Sequence, residues 1–227
     1  MAQPARQVEI VEDIDPFMES MNRLLNWAKE NQKRLIVWAI VIFVLIAAAA
    51  GAAFYYNHAQ NRAATLLGKA MMEFRTARSN NGPFAAYETI KGELKEVMDK
   101  YGYTDAGKMA LIQYAGVCCF SGDYDKAIGS YEKAFDKYGD NPMLKDLIIS
   151  GLAYGYAGKK DFKNAISWFE KIAQNPDATG QDEALFNLGL IYGQTGQTEK
   201  SRSAFKRIVS DFPGSIYLNT AKQNLAG

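Results

Sequence analysis

Three segments in the C-terminal half of the chain carry the same pattern of apolar and small residues, and this repetition constrains the fold most strongly. The segments begin near Lys108, Asp146 and Asp182, so successive repeats are offset by 38 and 36 residues. A unit of this length cannot bury its own apolar face, and stacked neighbours are needed to cover it. The pattern therefore predicts an array of stacked helix pairs.

Equivalent positions in the three segments carry the same kinds of side chain. The first helix of each has an apolar pair and then a small residue, and the second has a small residue and then an aromatic one. These residues are Leu111, Tyr114, Ala115, Ala127 and Tyr131 in the first repeat, Ile149, Leu152, Ala153, Ala165 and Phe169 in the second, and Leu185, Leu188, Gly189, Ser201 and Phe205 in the third. The pattern resembles the tetratricopeptide-repeat (TPR) family, whose period is about 34 residues. The resemblance implies an all-α solenoid of helix hairpins.

An uncharged apolar segment of 22 residues, from Leu35 to Tyr56, precedes the repeats. As a helix it measures about 33 Å, which is enough to cross the hydrocarbon core of a bilayer. Trp38 lies near one end and Phe54 and Tyr55 near the other, as is typical of a membrane interface. We therefore predict one transmembrane helix. Its anchor residues are Leu35, Trp38, Phe54, Tyr55 and Tyr56.

Two other interpretations of this segment are a buried core helix and a cleavable signal peptide. The length of the apolar run argues against a core helix. Small residues from Ala47 to Ala53 could resemble a cleavage site. However, the apolar run begins far from the N-terminus and exceeds the roughly 7 to 15 residues of a signal core. Retention as an anchor is the preferred interpretation.

The residues that flank the segment predict its orientation. Lys29, Lys33 and Arg34 precede it, whereas Arg62 is the only Lys or Arg in the first ten residues after Tyr56. Because cytoplasmic flanks carry an excess of Lys and Arg, the N-terminus is expected in the cytoplasm and the repeats across the membrane.

The remaining segments are assigned from composition and helical periodicity. An acidic flexible tail comes first, an amphipathic helix precedes the anchor, and a degenerate hairpin and a final helix are expected to cap the two ends of the array. The predicted boundaries are 1–16 for the tail, 17–34 for the juxtamembrane helix, 35–56 for the transmembrane helix, 57–107 for the hairpin, 108–214 for the three repeats (108–141, 146–177 and 182–214) and 215–227 for the C-terminal helix.

Charge and motif content exclude several classes of function. The chain has 26 Lys and Arg against 25 Asp and Glu, and this balance provides no basic surface to attract nucleic acid. It has no glycine-rich phosphate loop, nucleophile elbow or metal-spaced set of Cys and His. We therefore predict no enzyme activity, catalytic residue, cofactor, metal site or small-molecule substrate. The single histidine, His58, is expected to be an interfacial side chain.

Cys118 and Cys119 are adjacent in the sequence and are the only cysteines. Cys118 lies at the first-helix position where the other two repeats carry a tyrosine ring, so burial as a small apolar residue is expected. The alternative is a thiol redox protein that uses both residues, and a strained disulfide between them is conceivable in an oxidising compartment.

The first helices of a TPR array line a concave groove that binds protein partners. Residues predicted to face it are largely apolar and aromatic, which suits an amphipathic helix or an unfolded apolar stretch. Some family members clamp a terminal carboxylate with Lys, Arg and Asn, and those types are missing here. Packing against a neighbouring helix is the alternative role, because a shift of one residue exchanges the faces. The predicted groove residues are Ile112, Gly116, Cys119, Phe120, Ser150, Tyr154, Ala157, Phe186, Leu190 and Gln194.

The order of the segments carries a second resemblance. The sequence NWAKEN at 26–31, the basic pair Lys33 and Arg34, one span and then TPR-like repeats together resemble the bacterial family of ancillary subunits of the SecYEG translocon (YfgM-like). The resemblance implies an inner-membrane protein whose periplasmic domain binds the translocon, periplasmic chaperones and newly exported proteins. A TPR adaptor in envelope assembly or cell division is an alternative with the same architecture.

Overall fold

Helices form all the regular secondary structure in the part of the chain that a computed structural model describes, which is the backbone of residues 16–226 and the side chains of residues 17–226. The predicted tail lies outside the described residues except for Pro16, which begins the first helix. The all-α fold class is confirmed. The helices are α1 (Pro16–Glu30), α2 (Gln32–Tyr101), α3 (Asp105–Phe120), α4 (Tyr124–Tyr138), α5 (Pro142–Gly158), α6 (Phe162–Gln174), α7 (Gln181–Gln194), α8 (Thr198–Asp211) and α9 (Leu218–Ala226).

The chain divides into two compact units, one ending at Tyr55 and the other beginning at Tyr56. In the first unit, α1 carries exposed apolar side chains such as Phe17 and Leu24. The apolar part of α2 is long and apolar enough to cross a membrane, judged by length and composition. Its large apolar side chains are exposed, so the structure does not bury this segment as a core helix.

The second unit begins with a pair of helical segments formed by α2. Gly82 breaks α2, because its φ of 82° and ψ of 170° are not helical. Glycine adopts a positive φ readily, and Pro83 can start the next helical segment because the first residues of a helix need no N–H partner. Apolar side chains from both sides of this break share one buried cluster with α3. The backbone N–H of Ala106 at the start of α3 also donates to Oε1 of Gln60, at 3.0 Å.

Three helix pairs follow, namely α3 with α4, α5 with α6, and α7 with α8. The predicted small and aromatic positions of each repeat are buried. At the small position of the third repeat, Gly189, an added Cβ would lie 2.6 Å from the Phe205 ring, so the two helices of that pair approach closely. The turn within each pair has a left-handed residue at the same repeat position. These residues are Gly122 (φ 82°), Lys160 (φ 64°) and Gly196 (φ 73°).

The second helix of each repeat begins two residues after that left-handed residue, and the residue between them is its N-cap. The Asp123 side chain accepts from the backbone N–H of Lys126, and the Asp161 side chain accepts from that of Asn164. Gln197 occupies the same position before α8 with similar backbone angles, but its side chain makes no capping hydrogen bond. The third repeat therefore lacks a cap that the first two have.

The C-terminal helix α9 packs on α8. Ala221 of α9 is fully buried, and the guanidinium of Arg202 donates to the carbonyl of Leu225 at 3.2 Å.

Candidate protein-binding groove

A cavity of about 510 Å³ lies between the first helices of the first two repeats, α3 and α5. This volume falls within the range of about 300 to 1,000 Å³ that is typical of ligand-binding pockets. Aromatic rings, aliphatic side chains and glycines form most of its wall. The lining residues are Gly116, Cys119 and Phe120 of α3, Tyr124 and Tyr131 of α4, and Leu147, Ser150, Gly151, Tyr154, Ala157 and Gly158 of α5.

Six of the predicted groove residues lie together in this cavity. Phe120 is 63% exposed and Tyr154 is 37% exposed, so both rings are accessible to a partner. The smaller contributors define the floor and walls around these two rings. They are Gly116, Cys119, Ser150 and Ala157.

Ile112 does not line the groove, although it was expected to do so from its position in the repeat. Its side chain is only 3% exposed and belongs to a core cluster that includes Ile148 and Leu152. The cluster contains residues of both α4 and α5, so the side chain faces the packed interior between the helices. Ile112 is therefore a core residue.

The predicted groove residues of the third repeat lie outside this cavity. Phe186 is half-buried, with its ring stacked on that of Tyr217 at a centroid distance of 4.6 Å and 6.1 Å from the Phe205 ring. Leu190 and Gln194 are exposed on α7. The segment leading into α9 thus covers part of the surface that the third repeat was expected to present.

Two glycines of α5 allow tyrosine rings to form one wall of the cavity. A Cβ added to Gly151 would lie 2.2 Å from the Tyr131 ring, and one added to Gly158 would lie 2.2 Å from the Tyr124 ring. Each ring therefore rests directly on the backbone of α5. Sequence reasoning missed both tyrosines as groove residues because they lie on the second helix of the repeat. The spacing of the two glycines, two turns apart on one helix face, was the available signal.

Tyr154 is held in place by the third repeat. Its hydroxyl donates to Oε1 of Glu183 at 2.5 Å and accepts from Nδ2 of Asn187 at 3.0 Å. Its ring meets the Phe169 ring edge-on at 5.3 Å. Burial and the hydrogen bond to Glu183 raise the pKa of Tyr154 above the usual tyrosine range. The side chain is therefore a neutral, positioned aromatic group at neutral pH.

The two cysteines are free and lie in different environments. Cys118 is buried in the core, whereas Cys119 is half-buried and lines the cavity. Burial raises the pKa of both thiols above the usual cysteine value. Because the thiolate is the reactive form, this environment lowers their reactivity at neutral pH and does not favour a redox role. Among residues 17–226, no group of three or more His, Cys, Asp or Glu side chains is placed to hold a metal ion.

A solenoid of helix pairs with an apolar groove along its first helices is a protein-interaction scaffold of the repeat class. The chain belongs to the tetratricopeptide repeat-like domain family, which its sequence matches over residues 26–225.

A solved structure, that of a tetratricopeptide repeat protein from Parabacteroides merdae ATCC 43184, is similar in fold. The TM-score is 0.53 at 18% sequence identity, and the similarity covers 71% of this chain and 59% of that one. At this identity the similarity shows the fold alone, and the chain spans little more than half of that protein's length. No curated protein matches the sequence significantly.

Proposed function

We propose that this protein is a membrane-anchored adaptor that binds other proteins in the groove between α3 and α5. The observation that carries the proposal is the apolar cavity of about 510 Å³, which is bordered by the accessible rings of Phe120 and Tyr154. Aromatic side chains beside a pocket are the usual anchors of protein interfaces. The fold is one that typically serves as a non-enzymatic scaffold, which supports the same function.

An amphipathic helix or an unfolded apolar stretch is the proposed ligand. The wall of the cavity offers rings, aliphatic groups and glycine backbone, and these groups suit the apolar face of a helix laid into a groove. Basic side chains that could clamp a terminal carboxylate are missing from the cavity wall. The recognised feature is therefore an internal apolar segment of the partner.

We further propose that the apolar part of α2 spans the bacterial inner membrane, with the N-terminus in the cytoplasm and the repeat domain in the periplasm. The uncharged length of this segment supports the span, and the basic residues before it support the orientation. The resemblance to ancillary translocon subunits supports a role in protein export. In that role the domain would link the translocon to periplasmic chaperones and newly exported proteins.

Site-specific photo-crosslinking in bacterial membranes tests the adaptor function. A photoreactive amino acid at Phe120 or Tyr154 of the full chain should capture other proteins. The matched control is Lys163, which is exposed on a second helix, and it should capture few. Crosslinks from position 163 alone would contradict the proposal that the groove binds other proteins.

The identity of the crosslinked proteins separates the proposed roles. Translocon subunits, chaperones or exported chains would support the export role, whereas envelope-assembly or division proteins would assign the adaptor to those processes. Protease added outside spheroplasts should degrade the repeat domain, and full protection of the domain would contradict the proposed orientation.

A further inference from the structure

The groove has opposite charges at its two ends, and from them we infer the charge pattern of the segment that it binds. We propose that the preferred partner segment is a helix whose apolar anchors are flanked by an acidic residue on one side and a basic residue on the other. This inference rests on the proposed function, because it concerns the ligand of the same groove.

Arg78 provides the positive end. Its guanidinium lies 5.2 Å from the centroid of the Phe120 ring and 5.8 Å from that of the Phe74 ring. The side chain is exposed, and it forms no ion pair within 4.0 Å in the described part of the chain. Its charge is therefore available to an acidic side chain of a partner that rests on Phe120.

Glu183 provides the negative end. Its carboxylate accepts from the hydroxyl of Tyr154, whose ring lines the cavity. Glu183 lies in the first turn of α7 beside Asp182, where the helix dipole favours negative charge. Neither carboxylate is paired with a Lys or Arg within 4.0 Å among residues 17–226. The hydroxyl groups that donate to them, Tyr154 to Glu183 and Ser215 to Asp182, are neutral, so the negative charge is not cancelled.

The order of the helices separates these two charges. The part of α2 that carries Arg78 shares a buried cluster with α3, and Tyr154 of α5 bonds directly to α7. The first helices that line the cavity, α3 and α5, therefore lie between Arg78 and Glu183. A segment that crosses the first helices meets the cation at one end, the apolar cavity in the middle and the carboxylates at the other end.

An amphipathic helix fits this arrangement. Residues i and i+4 of a helix lie about 5 to 6 Å apart on one face, so two apolar anchors can enter one cavity together. Charged residues one turn beyond each anchor then lie toward the ends of the groove. An acidic residue complements Arg78, and a basic residue complements Glu183. An exposed pair of this kind contributes about two- to fivefold in affinity.

Binding of two blocked, fluorescent helical peptides to the full chain in zwitterionic lipid nanodiscs tests the inference. Both peptides carry Leu at positions i, i+3, i+4 and i+7 of an Ala-rich helix. One has Glu at one end and Lys at the other, and the second has Gln at both ends. The bipolar peptide should bind roughly tenfold more tightly, and the difference should shrink at about 1 M salt, where charges are screened beyond about 3 Å. Empty nanodiscs measure binding to lipid.

Charge exchange then assigns the two ends. Arg78→Glu should bind a peptide with Lys at both ends more tightly than the unaltered chain does. Glu183→Lys should do the same for a peptide with Glu at both ends, and Glu183→Gln, which keeps an acceptor for Tyr154, should reduce the advantage of the bipolar peptide. Lys163→Glu, away from the groove, should change none of these affinities. Circular dichroism must show that each variant remains helical.

The possible failures are distinct. Equal affinity for all peptides, with no response to charge exchange, would overturn the charge pattern and leave the apolar groove in place. If no peptide binds above the empty-disc level, both the groove and the adaptor function based on it are contradicted.

Discussion

The surface between the first two repeats is open, whereas the corresponding surface beside the third repeat is partly filled. Between α3 and α5 the glycines of α5 leave a cavity beside two tyrosine rings. Beside α7, the Tyr217 ring stacks on Phe186 and occupies the space that a partner would use. The comparison shows that similar aromatic helices form either a groove or a packed end, depending on the segment that follows them.

The same dependence is seen at one repeat position, which is occupied by Ile112, Ser150 and Phe186 in the three repeats. Ile112 is buried in a core cluster shared with α4 and α5, Ser150 lines the cavity, and Phe186 stacks on Tyr217. The repeat defines which side of the helix a residue occupies. The neighbouring element defines whether that side is accessible.

Replacing Gly151, the glycine on which the Tyr131 ring rests, should have the largest effect on stability and on the open groove. Gly151→Ala places a Cβ 2.2 Å from that ring, so the ring must move toward the cavity. We expect a loss of about 1 to 3 kcal/mol in the free energy of unfolding, together with weaker peptide binding. Urea unfolding and peptide titration measure the two effects.

Gly129→Ala is the matched control for this substitution. Gly129 lies within α4 and has no atom within 4 Å of a built Cβ. Replacing it should stabilise the protein by about 0.5 to 1 kcal/mol, because alanine favours the helix. If Gly151→Ala is as stable as Gly129→Ala, the close packing of Tyr131 on α5 is refuted.

Opening the filled surface should have the next largest effect. Tyr217→Ala removes the ring stacked on Phe186, and we expect a loss of about 1 to 2 kcal/mol from lost burial and ring stacking. Ile216→Ala, at a neighbouring side chain that is 85% exposed, should change stability by less than about 0.5 kcal/mol. Equal stability of the two variants in urea unfolding would show that Tyr217 does not hold the end of the array.

The missing cap of the third repeat predicts a smaller gain in stability. Gln197 has nearly the same φ and ψ as Asp161, which caps α6. Gln197→Asp should therefore stabilise the protein by about 0.5 to 1 kcal/mol, and the reciprocal Asp161→Gln should destabilise it similarly. Thermal unfolding of both variants checks this, and changes of the same sign would contradict the shared capping geometry.

The smallest expected effect is on the labelling rates of the two thiols, and these rates report on the groove directly. Cys119 lines the cavity and Cys118 is in the core, so Cys119 should react faster with a thiol reagent, and bound peptide should slow it. Since burial raises both pKa values, the rate at Cys119 should continue to increase as the pH rises above the usual thiol pKa of about 8.5. Single Cys→Ser variants assign the rates. Faster labelling of Cys118 would reverse the assignment of core and groove.

The sequence predicted the repeat fold well because its signal is periodic. Ala115 and Ala153 are fully buried, as small residues at helix contacts should be, and the aromatic positions are buried in all three repeats. Gly122 and Gly196 adopt a left-handed backbone conformation in the turns, which glycine readily allows. Each of these features depends on contacts within one repeat or with its neighbour, and such contacts recur along the chain.

The groove was predicted only in part because it depends on contacts that do not recur. Tyr131 reaches the cavity only because residue 151 is glycine, and the equivalent position in the third repeat is Asn187. Tyr217 lies outside every repeat, so its stacking on Phe186 follows no repeat pattern. The pairing of Arg78 with Phe120 joins residues from different helix pairs, and no sequence spacing indicates it.

A comparison of Phe120 with Phe186 most directly tests whether the groove between the first two repeats is the binding site. Binding of the Leu-bearing peptide with Gln at both ends should be compared for Phe120→Ala and Phe186→Ala of the full chain in nanodiscs. We predict that Phe120→Ala weakens binding by about tenfold or more with little change in stability. Phe186→Ala should lower stability and leave affinity within about twofold, because its ring is covered by Tyr217. Unchanged binding by Phe120→Ala, or an equal loss in both variants, would contradict the claim that the groove between the first two repeats is the binding site.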